Sequence, residues 1–263
     1  MKDGDYVLGT RDDEVERLGL QHRVWRGRVL DAVRRARIRS GQTVIDVGAG
    51  PGFVTTDLAD LVGPTGKIIA LERSHHFLGK IRSRGLTNVE IREQDVCKPF
   101  CIEGADASWC RWLLSFVADP AATVRHIATA LKPGGSAIFH EYAAYETWRM
   151  MPPNPLHERF RGLVEQSWRD NGGEPNVALW LPLWLADAGL EIVETRLFAD
   201  IITPADETWQ WPRAFIESGA RRLNELGYVQ AEEVASMARL LDDAPEGTHM
   251  ATPLVAEIIA RKR

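Results

Sequence analysis

The chain has 263 residues, 44% of them hydrophobic and 26% charged, with a formal net charge of −5, which suits one large α/β core and offers no general positive field for a nucleic-acid partner. Cys97, Cys101 and Cys110 are an odd set without a CxxC pair or a histidine at zinc-finger spacing, which argues against a disulfide framework and a structural metal. No apolar run approaches the roughly 18 residues of a membrane span, and Met1-Lys2-Asp3-Gly4-Asp5 is too acidic for a signal peptide, so the expectation is a soluble, cytoplasmic protein with no membrane partner.

In chain order, residues 12–37 carry Val15, Leu18, Val24, Trp25, Val29, Leu30 and Val33 at mostly helical spacing. Ser40-Gly41 ends that segment, and Thr43 to Val47 reads as a buried strand running into a glycine turn, with a helix from about Phe53 to Leu61. A second strand, Lys67 to Leu71, ends at Glu72, and a helix from about Phe77 stops at Gly85. Val89 to Arg92 is a third strand, Ala105 to Cys110 a fourth and Ser136 to His140 a fifth, with a helix from Pro120 to Leu131 before the last. Strands alternating with helices predict a parallel, doubly wound sheet with right-handed crossovers. Further on, the pattern predicts helices over His157 to Asp170 and Val177 to Ala188. Two strands, Glu191 to Phe198 and Leu254 to Ala260, flank a helical insertion of about residues 205–241. The chain is therefore read as one domain, 1–263: a helical cap over 1–40, a cofactor-binding core over 41–142, and an acceptor side over 143–263 that carries the insertion. An insertion of that size is expected to serve as a lid, or else as a homodimer surface.

The decisive motif is Asp46-Val47-Gly48-Ala49-Gly50-Pro51-Gly52, at the end of the first strand and the start of a helix. Alternating glycines let the backbone turn and approach a ligand without a Cβ clash, and the helix start offers unpaired N–H groups. Bulky Phe53 stands where a dinucleotide fingerprint wants its third small residue, which counts against NAD. Glu72, after the second strand, is placed to take two ribose hydroxyls. Asp95, after the third, is placed to accept from an adenine amino group.

In this order, the glycine loop, Glu72, Gln94-Asp95, Trp109-Cys110-Arg111-Trp112 and Leu131-Lys132-Pro133-Gly134-Gly135 resemble a class I S-adenosylmethionine-dependent methyltransferase. Within that class the likeness is to the ubiquinone- and menaquinone-biosynthesis group, which acts on small molecules. The resemblance is firm from Ser40 to His140. It implies a Rossmann-like seven-stranded sheet of order 3-2-1-4-5-7-6 with the last strand antiparallel, and S-adenosyl-L-methionine as cofactor with S-adenosyl-L-homocysteine as product. It further implies that Asp46, Gly48, Ala49, Gly50, Pro51 and Gly52 wrap the methionine part and that Glu72, with Arg73, holds the ribose. Asp95 and Val96 would flank the adenine, and Arg111 would sit beside the methionine end. Tyr6, Arg17 and Gln21 would belong to the cap that closes over the cofactor.

A small-molecule acceptor follows from the same likeness, with a protein acceptor or a binding-only regulatory role as alternatives. His140 and Glu141, read at the end of the fifth strand, are candidates to orient or deprotonate the acceptor. Trp148, Trp168, Trp180, Trp184, Trp209 and Trp211 fall in the second half and are expected to give an apolar acceptor aromatic walls.

Overall fold

The computed structural model describes residues 9–263, so Tyr6 lies outside the described residues. The first described element is helix α1 (Asp12–Arg35), with three acids in its first turn and two arginines in its last, each opposing the helix dipole. Its apolar stripe, Trp25, Val29, Ala32 and Val33, is buried.

Around the largely buried β1 (Thr43–Val47) the chain builds β2 (Lys67–Glu72), β3 (Val89–Glu93), β4 (Ala105–Arg111) and β5 (Leu131–Ala144). Helices α2 (Phe53–Val62), α3 (His75–Arg82) and α4 (Pro120–Ala130) run between them. After β5 come β6 (Arg149–Met151), α5 (Pro155–Asp170), α6 (Leu181–Asp187) and β7 (Leu190–Phe198). The chain continues through β8 (Ile201–Ile202), α7 (Gln210–Glu225), α8 (Ala231–Ala238), β9 (His249–Ala251) and β10 (Leu254–Lys262).

The seven-stranded sheet has the order β3-β2-β1-β4-β5-β10-β7, which is the expected 3-2-1-4-5-7-6 once the short strands are set aside. β1 to β5 pair in parallel, and β10 is antiparallel to both neighbours, β5 and β7. The short strands form a separate ribbon, β6-β9-β8. Local chemistry sets the helix starts. Asp119 accepts from Ala122 N at 2.8 Å ahead of Pro120 in α4, and Asn154 accepts from Leu156 N and His157 N ahead of Pro155 in α5.

Two apolar cores sandwich the sheet, one under α4 and α6 and one under α1 and α2. A third, richer in aromatic residues, joins α5, α7, α8 and the ribbon to α1 through Trp25, Trp112, Trp148, Trp168 and Trp211. Trp209 is buried there too, whereas Trp180 is half exposed. The tryptophans of the second half are therefore mostly packing residues of this third core.

The fifth strand departs from expectation at both ends, beginning at Leu131 rather than Ser136. β5 runs to Ala144, so His140 and Glu141 sit within the strand, opposite Glu257 and Ala256 of β10. Tyr142, Ala143 and Ala144 contain no breaker, and pairing with β10 carries the strand past the point where its parallel neighbour β4 stops.

Candidate active site

A cleft of about 620 Å3 opens beyond the carboxyl ends of β1, β2, β3 and β4, where an open α/β sheet binds ligands. β1 delivers Asp46 into it. The side chain is buried, and one oxygen accepts from Thr55 Oγ1 at 2.6 Å. Burial pushes this carboxyl up to about 6, the Thr55 bond opposing.

The loop that follows adopts positive φ at Gly48 (72°), Gly50 (54°) and Gly52 (83°). Gly48 needs its missing side chain for a second reason, since a Cβ there would lie 2.8 Å from Leu113 Cδ1. Gly52 is the N-cap of α2 and does not line the cleft; it turns the chain so that Phe53 does.

Glu72, at the end of β2, fixes this loop. One carboxylate oxygen accepts from Gly50 N at 2.9 Å, and the other accepts from Arg73 N and Ser74 N at 2.8 Å each. Burial raises its pKa while these three N–H bonds oppose the rise. At the next strand end, Asp95 accepts from Cys97 N at 3.0 Å, and Gln94 donates to the Asp95 carbonyl at 2.7 Å. Asp95, Val96 and Arg73 all line the cleft.

Arg111 closes the row from β4. Half-buried at the cleft wall, it has its guanidinium lowered by burial to about 10, with Asp46 and Asp57 opposing. Its guanidinium lies 5.0 Å from the Trp112 ring. Both neighbouring acids are engaged elsewhere, Asp46 by Thr55 and Asp57 by His22 and Arg26.

Helix α1 covers the cleft with Leu18 and Gln21. Gln21 Oε1 accepts from Arg17 Nη1 at 2.9 Å and from Trp211 Nε1 at 3.0 Å. Arg17 is one turn away, buried, paired with Glu14 at 2.7 Å and outside the cleft wall. It supports Gln21 from behind.

The structure thus brings Gln21, Asp46, Gly48, Ala49, Gly50, Pro51, Glu72, Arg73, Asp95, Val96 and Arg111 to one cleft. It does not bring His140 or Glu141 there. His140 is fully buried, with Nε2 2.7 Å from Glu257, which also pairs with Arg35 of α1. Glu141 is fully buried as well and accepts from Leu113 N and Leu114 N at 2.9 Å each, so its carboxylate caps the chain leaving β4. Mid-strand pairing turns both into internal connectors, and neither has access to an acceptor in the cleft.

The insertion is placed otherwise than a cleft wall would be. None of residues 205–241 lines the cleft, because its apolar side packs on α1 and α5. Trp211 stands behind the wall, donating to Gln21 and stacking on Trp112. The aromatic wall comes instead from Phe53, Phe77, Trp109, Trp112 and Phe116. The signal for one of these was the alternation along β4, which places Trp109 on the same face as Arg111.

Comparison with known proteins agrees with this architecture. The profile of a family described as "Methyltransferase domain" matches residues 38–174. Demethylmenaquinone methyltransferase of Staphylococcus carnosus is 29% identical over 121 residues, 45% of this chain and 49% of its own length. Ubiquinone/menaquinone biosynthesis C-methyltransferase UbiE of Escherichia coli is 30% identical over 128 residues, 46% of this chain and 50% of its own. The chain spans about half the length of these curated relatives. Among solved structures, a putative methyltransferase of Bacillus halodurans superposes with a TM-score of 0.60 at 19% identity, covering 89% of this chain and 98% of that one.

Proposed function

The chain belongs to the class I S-adenosylmethionine-dependent methyltransferases, and on that premise we propose that it transfers a methyl group from S-adenosyl-L-methionine to O, N or C of a small, apolar or aromatic metabolite. The observation that carries this reading is the convergence of the glycine loop, Glu72 and Asp95 on one cleft. The named relatives support methyl transfer to a small molecule.

The residues fit the cofactor in kind. Glu72, which holds the loop in place, would take the ribose hydroxyls, Asp95 and Val96 would flank the adenine, and Gly48 to Pro51 would leave backbone room for the methionine part. Arg111 would stand beside that part. When bound, the cofactor supplies an electrophilic methyl on its sulfonium. The protein's contribution is to place an acceptor against that carbon in a cleft walled by Phe53, Trp112 and Phe116 and to keep water out. Aromatic faces near a sulfonium add cation–π attraction.

Calorimetry tests the binding half: S-adenosylmethionine and S-adenosylhomocysteine are expected to bind and NAD is not. Transfer of labelled methyl from S-adenosylmethionine to a panel of small phenols, quinols and amines tests the rest. Binding of NAD with no response to either adenosyl ligand would overturn the reading.

A further inference from the structure

Every large apolar side chain left exposed among the described residues falls between Met151 and Ile201, and most of them lie on two neighbouring elements. Leu179, Trp180 and Leu183 belong to α6 and the turn before it, and Ile192, Val193 and Leu197 belong to β7, which α6 contacts. Ile192 and Leu197 are in register with Ala260 and Ala256 of β10, which are buried in the core under α6, so the apolar surface continues from that helix across the sheet to its last strand. β7 ends the sheet order, pairs with β10 alone, and offers its other edge to no strand among the described residues. A nine-residue edge that carries apolar side chains is a template for another strand unless charge or a bulge protects it.

The charges on β7 are of both signs and are spaced to complement themselves. Glu194 and Arg196 lie on the α1 face of the strand, where they pair with each other at 2.7 Å and with Arg35 and Asp31 of α1 at 2.9 and 3.1 Å. Two copies of β7 laid antiparallel about a twofold axis normal to the sheet bring like faces together. An axis through Glu194 would set two carboxylates against each other, and one through Arg196 would set two guanidiniums together. An axis through Thr195 sets each Glu194 opposite the partner's Arg196 and brings Val193 to the partner's Leu197. The residue skipped in the register with β10 is Val193, outside the stretch from Glu194 to Arg196. Asp187 and Glu191, both exposed, flank the apolar patch and disfavour an anionic lipid surface as its cover. We propose that the occupant is a second copy of this chain, joined β7 to β7 with Thr195 on the axis, so that one sheet runs through both copies. This interface is separate from the cleft and does not rest on the cofactor reading.

The test is analytical ultracentrifugation of the wild-type chain, Glu194→Arg, Arg196→Glu and an equal mixture of the two variants. The wild type is expected to sediment as a dimer at micromolar concentration. In Glu194→Arg every cross-strand charge pair becomes cationic and in Arg196→Glu every one becomes acidic, so each variant alone is expected to weaken dimerisation at least about a hundredfold. One chain of each kind restores opposite charges at every contact, and the mixture is expected to return to a dimer within about tenfold of the wild-type dissociation constant. Hydrogen exchange on the wild type needs no variant to fold: β7 amides are expected to gain protection as protein concentration rises. The proposal is overturned if the wild type stays monomeric, if either variant alone dimerises as the wild type does, or if two folded variants fail to restore the dimer on mixing. Concentration-dependent protection in residues 205–241 with none at β7 would move the interface to the insertion and overturn it as well. A monomeric wild type that floats with neutral phosphatidylcholine vesicles would assign the apolar patch to a lipid surface instead.

Discussion

Glu72 accepts a hydrogen bond from the backbone N–H of Gly50 across 22 residues of sequence, so the acid proposed to read the ribose also holds the glycine loop. Its other oxygen accepts from Arg73 N and Ser74 N, making it the clasp between β2, the loop and the start of α3. Glu72→Ala is expected to weaken S-adenosylhomocysteine binding at least about tenfold and also to lower stability by about 2 kcal/mol, since the loop loses its acceptor. Glu72→Gln retains acceptor geometry and is expected to fall between the two. Calorimetry and thermal melting read both effects, and a change in affinity with no change in melting would show that the loop does not depend on the clasp.

Gly48→Ala meets two obstacles at once, a φ of +72° and a contact with Leu113 too close for a methyl group. Affinity for S-adenosylhomocysteine is expected to drop at least about tenfold because the loop must shift to admit the Cβ. Wild-type affinity in this variant would show that the loop can move without harm to binding.

Glu141 is a structural acceptor within β5, and burial pushes its carboxyl up to about 7 against the N–H groups of Leu114 and Leu113. Glu141→Leu leaves those two N–H groups without an acceptor and is expected to cost about 2 to 4 kcal/mol of stability. Because Leu113 packs beside Gly48, cofactor binding should weaken in parallel. A variant that kept its melting temperature and lost only methyl transfer would restore Glu141 as a catalytic group.

His157 supplies a pH-dependent contribution. It is fully buried, neither ring nitrogen has a hydrogen-bond partner among the described residues, and burial lowers its pKa from 6.5 to about 4. The unfolded chain takes up a proton at this residue near pH 6.5 and the folded chain does not until about pH 4. Its contribution is therefore complete above pH 6.5 and is lost as the pH falls from there to about 4, on the order of 3 kcal/mol over the window. His157→Leu should flatten the acid side of a stability-versus-pH curve measured by urea unfolding. A curve parallel to wild type between pH 6.5 and 4 would exclude this residue as its cause.

The parts of the site that were readable in the sequence are those set by short-range rules. Strand end, glycine turn and helix start lie within ten residues, and Glu72 and Asp95 each follow a strand directly, so local pattern located them. His140 and Glu141 depended on where β5 stops, and that is decided by β10. The partner of His140 is 117 residues away, and a glutamate in the middle of an apolar strand gives no sign of which buried group it faces. The tryptophans of the second half posed the same difficulty. Aromatic count indicates a packed or ligand-lined region but not which, and only the placement of α7 against α1 shows that they serve a core. The sheet order came through resemblance, since strand adjacency is a long-range property that periodicity does not encode.

Helix α1 has two duties along one rod of about 36 Å. Its later turns are embedded against the sheet through Val29, Ala32 and Val33 and tied by Arg35 to Glu257, while its earlier turns carry Leu18 and Gln21 over the cleft. The stretch that matches the methyltransferase-domain family begins at residue 38, after this helix ends. A chimaera assembled at that boundary would therefore inherit a glycine loop without its cover and a sheet face without its packing layer. The joint that keeps both intact lies upstream of Asp12, which makes the mechanical unit for recombination longer at its amino-terminal end than the unit of sequence similarity.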